Sequence, residues 1–199
     1  MIAFAIAVFF MIASPGPGVL SCAGIGAAFG WRAGINFAMG LCLGQLVVFF
    51  AVAAGLDALL FAVPWARTVL FVLSFGFLLY LAARIAFAGS QIGFIGAKRE
   101  PGLTEGFMLQ PINTKAYAVC TAMITGSGIK PDAYWTEVVV KFIILNIIWV
   151  PLHLTWIGVG VWLKTLDLPP KKQRVINVFM AAAMLLAVGI AIYYAFNPV

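Results

Sequence analysis

The 199-residue chain is 64% hydrophobic and 9% charged, with a mean hydropathy of +1.11. Soluble domains run at about 45–50% apolar and about 25% charged, so these values exclude a soluble protein and leave a single membrane bundle over residues 1–199. The net charge of +6 would suggest a nucleic-acid partner in a soluble chain, but here the cations fall between apolar runs and set topology instead.

With about 20 residues needed to cross the hydrocarbon, the chain reads as six spans, roughly 2–30, 34–63, 67–88, 103–126, 138–163 and 174–196. The runs are continuously apolar and do not alternate with period two, so they predict helices and not barrel strands. Span one carries no charge from Met1 to Trp31 and no small-x-small cleavage site, so a removed signal peptide is not expected. At its centre lies Ser14-Pro15-Gly16-Pro17-Gly18. A helix-interior proline costs about 3 kcal/mol through a lost N–H bond and a clash. Irregular backbone at membrane depth survives only where it lines a cavity or is buried in protein. The stretch therefore reads as part of a binding site and not as an anchor.

Small residues then recur at every fourth position: Gly18, Cys22, Gly26, Gly30 and Gly34. Such rows let membrane helices approach closely; a substrate-facing role for part of the row is the alternative. Arg32, with Gly30 and Gly34, marks the first turn. Gly40 and Gly44 repeat the packing signal in span two, beside the lone polar Gln45. Asp57 suits an interfacial cap or a pair with Arg67, and Trp65 suits a headgroup-level belt. Residues 89–102 form the longest polar connection and divide the chain into repeat one, about 1–90, and repeat two, about 103–199.

Span four carries Gln110-Pro111-Ile112-Asn113-Thr114-Lys115. An intramembrane lysine is a functional hypothesis by default, with snorkelling to the interface as the bland reading. In span five, Pro151 predicts a kink, and the lone His153 reads as a hydrogen-bonded packing residue with no second ligand to make a metal site. Arg32, Arg84, Lys98, Arg99, Lys164, Lys171, Lys172 and Arg174 fall in odd loops, against Arg67, Lys130 and Lys141 in the even ones. The positive-inside rule then places the odd loops in the cytoplasm and both termini outside.

Pro15 and Pro111 stand 96 positions apart. Interrupted helices at corresponding places in two halves point to the binding site of an inverted-repeat transporter. Half-helices beginning near Pro17 and Asn113 would aim unpaired N–H groups and positive dipole ends at one place, which favours an anion. Lys115 adds a full cation. Carbonyls freed before Pro15, Pro17 and Pro111, with the Asn113 amide, can accept from an ammonium group. No Asp or Glu lies deep in any predicted span, which argues against a cation channel or a metal site. A small zwitterion suits this inventory. The candidate binding residues are Ser14, Pro15, Gly16, Pro17, Gly18, Pro111, Asn113, Thr114 and Lys115. No catalytic residue, metal or cofactor is expected, and the chain is not read as an enzyme.

The ordered set Ser14-Pro15-Gly16-Pro17, Gly30-x-Arg32-x-Gly34, Gly40-x-x-x-Gly44, Gly76-x-x-x-Tyr80-Leu81, Gly106-Phe107 and Asn113-x-Lys115-Ala116 resembles the LysE (lysine exporter) family. The resemblance covers nearly the whole chain. It implies six membrane spans; with the two interruptions, the expected fold is all-α, six helices as two inverted three-helix repeats with helices one and four broken. It also implies a multi-pass exporter of amino acids or related metabolites in the bacterial inner membrane, driven by proton antiport; the cation count above makes its termini periplasmic. Relatives commonly carry Asn where this chain has Gly18, and Asn-Pro-Lys where it has Asn113-Thr114-Lys115. The second form, with Gln110 before it and Asn146-x-x-Trp149 in span five, looks like the branch that exports cysteine and O-acetylserine, and it adds Asn146 to the candidate site. Small neutral substrates, of the cysteine, O-acetylserine, threonine or homoserine type, are then expected.

The rival reading is a thiol-redox carrier using Cys22 and Cys120, 98 positions apart; small apolar residues in packed helices are the bland account of both. The expected partners are the lipid bilayer and a small amino acid, with no nucleic acid. The glycine-rich faces would allow a homodimer.

Overall fold

The computed structural model describes residues 2–13, 16–56, 58, 62–87, 100–126, 133–166 and 169–196. Among these it forms eight helices: α1 (Ile2–Ala13), α2 (Pro17–Phe29), α3 (Trp31–Ala53), α4 (Pro64–Ala86), α5 (Leu103–Ile112), α6 (Thr114–Thr125), α7 (Tyr134–Thr165) and α8 (Pro170–Phe196). Ser14, Pro15, Asp57, residues 89–99 and Lys130 lie outside the described residues. The helices α3 and α7 and residues 68–86 of α4 are each long and apolar enough to cross a membrane. The α1–α2 pair, bent by 53° at its break, makes a fourth span if counted as one.

The turn between spans one and two is tighter than the Gly30–Gly34 stretch suggests. Gly30 alone interrupts the helices, at φ 91°, a left-handed backbone that glycine adopts without penalty. Its N–H donates to the Gly26 carbonyl (2.9 Å) and its carbonyl accepts from Gly34 N–H (3.1 Å). Both helix ends are thereby closed around one residue, and Arg32 and Gly34 already belong to α3. Pro151 likewise sits inside the continuous α7.

Two helix pairs approach to backbone contact, and glycine permits both. On α3 and α5, a Cβ added to Gly40 would lie 2.0 Å from the Leu103 carbonyl oxygen, and one added to Gly106 would lie 2.1 Å from the Phe37 carbonyl oxygen. On α2 and α7, a Cβ on Gly26 would meet the Ile157 carbonyl oxygen at 2.6 Å, and one on Gly160 the Ala23 carbonyl oxygen at 2.1 Å. Without a hydrophobic force between helices in lipid, such close contact supplies the packing energy. The first broken helix is thus seated on α7 and the second on α3, while α4 pairs with α8.

Lys141 is not an outer-loop residue. Helix α7 begins at Tyr134, earlier than its apolar run, and places Lys141 two turns inside, 1% exposed. Its Nζ pairs with Glu137 Oε1 at 2.6 Å, donates to the Ile124 carbonyl at 3.1 Å and lies 5.6 Å from the centre of the Phe4 ring. One cation thereby ties α1, the end of α6 and the start of α7 together. At the opposite end, Lys164 Nζ approaches Gly30, and Arg174 lies over Phe87. The described basic side chains Arg32, Lys164 and Arg174 therefore gather at the end of the bundle marked by Trp31 and Trp162. Trp65 and Trp135, also exposed, mark the other end.

Gly40→Ala is expected to destabilise the bundle by about 1–3 kcal/mol, because the added methyl overpacks a backbone contact. Gly76→Ala, where a Cβ meets nothing within 4 Å, is expected to be neutral or slightly stabilising; thermal unfolding of both in detergent checks the contrast. Glu137→Gln leaves Lys141 buried without its anion and is expected to cost about 3–5 kcal/mol, read by the same melting.

Candidate functional site

The break in the second half is built from three local choices. Pro111 lacks the N–H that would bond the Phe107 carbonyl, and that carbonyl lies instead against Gly44, 2.7 Å from where a Cβ would stand. The interruption itself falls two residues later, at Asn113, whose backbone is extended (φ −81°, ψ 100°). Asn113 caps α6 with its own side chain, Oδ1 accepting from Lys115 N–H at 3.2 Å. Asparagine is among the best residues for that position, and Thr114 takes the first helical place. The Pro111 carbonyl, which would have accepted from Lys115 N–H in an unbroken helix, accepts instead from the Tyr117 hydroxyl at 2.9 Å.

The break in the first half places Gly16 as the residue before α2, with Pro17 at its first position. Proline suits that place because its missing N–H has no acceptor there anyway. Gly16 is in ordinary extended backbone (φ −157°, ψ 176°), so its need for glycine is one of space. A Cβ there would lie 2.9 Å from Lys115 Cδ and 3.0 Å from Lys115 Nζ. The Lys115 side chain is therefore laid across Gly16. It reaches the other broken helix and does not run to the interface.

Between the two breaks lies a cavity of about 50 Å³, room for a few water-sized groups at roughly 10–15 Å³ each. Gly16, Pro17, Gly18 and Val19 form one wall and Gln110, Asn113, Lys115 and Ala116 the facing one; Gln45 of α3 and Trp149 and His153 of α7 complete it. The N–H groups of Gly18 and Val19 belong to the first turn of α2 and have no acceptor within that helix. Ile12, Val119 and Leu145 add apolar surface. Among the described residues, no Asp or Glu lines the cavity and no cluster of metal-ligating side chains occurs.

One side of the cavity is a directed chain of amides. Lys115 N–H fixes Asn113 Oδ1 as an acceptor, which leaves Asn113 Nδ2 to donate to Gln110 Oε1 (3.0 Å). Gln110 Nε2 then donates to Gln45 Oε1 (2.7 Å), and Gln45 Nε2 to Cys120 Sγ (3.0 Å). All three amides are buried. A backbone N–H can only donate, so the orientation of every amide downstream follows from the first bond.

Of the residues singled out from sequence, Gly16, Pro17, Gly18, Asn113 and Lys115 meet in this cavity. Ser14 and Pro15 lie outside the described residues. Pro111 and Thr114 support the break without lining the cavity. Asn146 is turned elsewhere, its Nδ2 donating to the Phe142 carbonyl (2.8 Å) and its Oδ1 near Cys42 Sγ (3.7 Å). The wall that sequence reasoning missed comprises Gln45, Gln110, Trp149 and His153. The spacing Leu145, Trp149, His153 puts three residues on one helix face, and that was the available signal. Cys22 and Cys120 are buried thiols in no disulfide, and the Cys120 sulfur is engaged by Gln45.

Gly16→Ala is expected to displace the Lys115 ammonium without straining the backbone. Solute flux in proteoliposomes should fall at least tenfold while the melting temperature changes little.

A family model described as LysE type translocator matches residues 9–195. No curated protein and no solved structure matches the chain. The match spans both broken helices, the cavity between them and nearly all of the bundle, so the chain belongs to the LysE type translocator family and is a multi-pass membrane transport protein.

Proposed function

We propose that the protein exports small neutral amino acids or related metabolites across the bacterial inner membrane, by alternating access around the cavity between the two breaks. The observation that carries this reading is Lys115 lying across Gly16, a cation placed at the N-terminus of α2 by a residue of α6. A full charge and a positive helix end converge on one small space, which suits a carboxylate. The absence of Asp and Glu from the described lining disfavours cationic side chains, and the apolar Ile12, Val119 and Leu145 beside the polar wall suit a small neutral one. Substrates of the cysteine, O-acetylserine, threonine or homoserine type fit those limits. Exchange against protons is the coupling we propose.

The architecture we propose is six spans in two inverted three-helix repeats, α1–α4 and α5–α8. The pairing pattern supports it. Taken whole, the broken helix of each half packs on the second helix of the other, α1–α2 on α7 and α5–α6 on α3, and the third helices, α4 and α8, pair with each other. The positive-inside rule applied to the basic end of the bundle then puts the Gly30 turn in the cytoplasm and both termini in the periplasm.

Lys115→Ala is expected to abolish export. Purified variant in proteoliposomes loaded with labelled serine should release it at the rate of empty vesicles, whereas undiminished flux would remove Lys115 from the site. Lys115→Arg, which keeps the charge but not its shape, is expected to retain at most a few per cent of the flux.

A further inference from the structure

We propose that Nε2 of His153 accepts the ammonium group of the substrate, so that His153 and Lys115 hold the two ends of one zwitterion. This inference rests on the amino-acid reading above and adds the residue that distinguishes an amino acid from a simple carboxylic acid.

The ring is fixed in two ways. It stacks on Trp149 with centroids 3.6 Å apart and planes 18° from parallel, and its Nδ1 lies 2.8 Å from the Trp149 carbonyl oxygen. A carbonyl can only accept, so Nδ1 carries the hydrogen, and in the neutral ring Nε2 is left as a bare acceptor. The side chain is 4% exposed and lines the cavity. Among the described residues, its only hydrogen bond is the one at Nδ1.

The side-chain amide acceptors in the wall are already engaged. Asn113 Oδ1 accepts from Lys115 N–H, Gln110 Oε1 from Asn113 and Gln45 Oε1 from Gln110. With no carboxylate among the described lining residues, His153 Nε2 is the side-chain acceptor left open to an ammonium group. Gly18 is what uncovers it. A Cβ at that position would touch Nε2 at 3.4 Å, and any longer side chain would lie across it.

Lys115 Nζ stands over Gly16 and His153 Nε2 over Gly18, so a cation and a neutral acceptor face the same cavity from neighbouring points of one helix start.

The test is titration of purified protein in nanodiscs with alanine and with propionate, which differ in the ammonium group. Wild-type protein is expected to bind alanine at least tenfold more tightly. His153→Phe, which keeps the ring on Trp149, should lower alanine affinity about tenfold to a hundredfold, in the range of a hydrogen bond to a charged group. It should leave propionate binding unchanged, so the two affinities converge. His153→Gln, which returns an acceptor oxygen near the same place, should recover part of the preference. His153→Phe that retains the wild-type preference would overturn the assignment. Equal loss of both ligands in His153→Phe and His153→Gln would reduce His153 to a structural role and overturn it too. Wild-type protein that binds neither ligand would instead overturn the amino-acid reading, and this inference with it.

Discussion

The Phe107 carbonyl loses its helical partner to Pro111, and everything around it follows from the need to place such groups where no water can reach them. Inside hydrocarbon, each unsatisfied backbone group costs several kcal/mol. The chain answers with Gly44, whose missing side chain lets α3 come up against that carbonyl. It answers again with the Tyr117 hydroxyl on the Pro111 carbonyl and with the Asn113 side chain on Lys115 N–H. Each compensation fixes the position of a further group. The glycine contact fixes the separation of α3 and α5, which brings Gln45 to Gln110. The Asn113 cap fixes the direction of the amide chain and the start of α6, which sets the point from which Lys115 extends.

The first half presents the matching surface by omission. Gly16 and Gly18 contribute backbone only, and each leaves room for a side chain from the other half of the protein, Lys115 in one case and His153 in the other. Lys115 and His153 are thus displayed over two residues that carry no side chain of their own. Such a division suits alternating access, because the contacts that define the site cross between parts that would move against each other. The Glu137–Lys141 pair makes a comparable crossing at the far end of the bundle, from α7 to α1 and α6.

Much of this was legible in the residues. Composition and run length identified a helical membrane protein, and the prolines located both interruptions to within a few positions. The half-helix starts at Pro17 and near Asn113 followed from the rules for helix N-termini. What was not legible depended on packing between distant segments. The hydrophobic run of α7 gave no sign that the helix begins at Tyr134, so Lys141, at the edge of the predicted span 138–163, was counted with the loop cations and Glu137 escaped notice. A helix can extend past its apolar stretch when its own i,i+4 pair neutralises the charges it buries. His153 was weighed only against a metal site, for which it had no partner, and Gln45 passed as a lone polar residue. Their roles arise from Gly18 and Gln110, far away in sequence. Asn146, one turn from Trp149, lies on a neighbouring face of α7, a distinction of some tens of degrees that a motif does not carry.

The most direct test of the account is release of a panel of labelled amino acids from proteoliposomes, measured with and without an imposed pH gradient. The account predicts that serine, cysteine, threonine and homoserine leave much faster than lysine, glutamate or tryptophan, and that the gradient changes their rate. Release confined to charged or bulky amino acids, or none above that of empty vesicles, would contradict it.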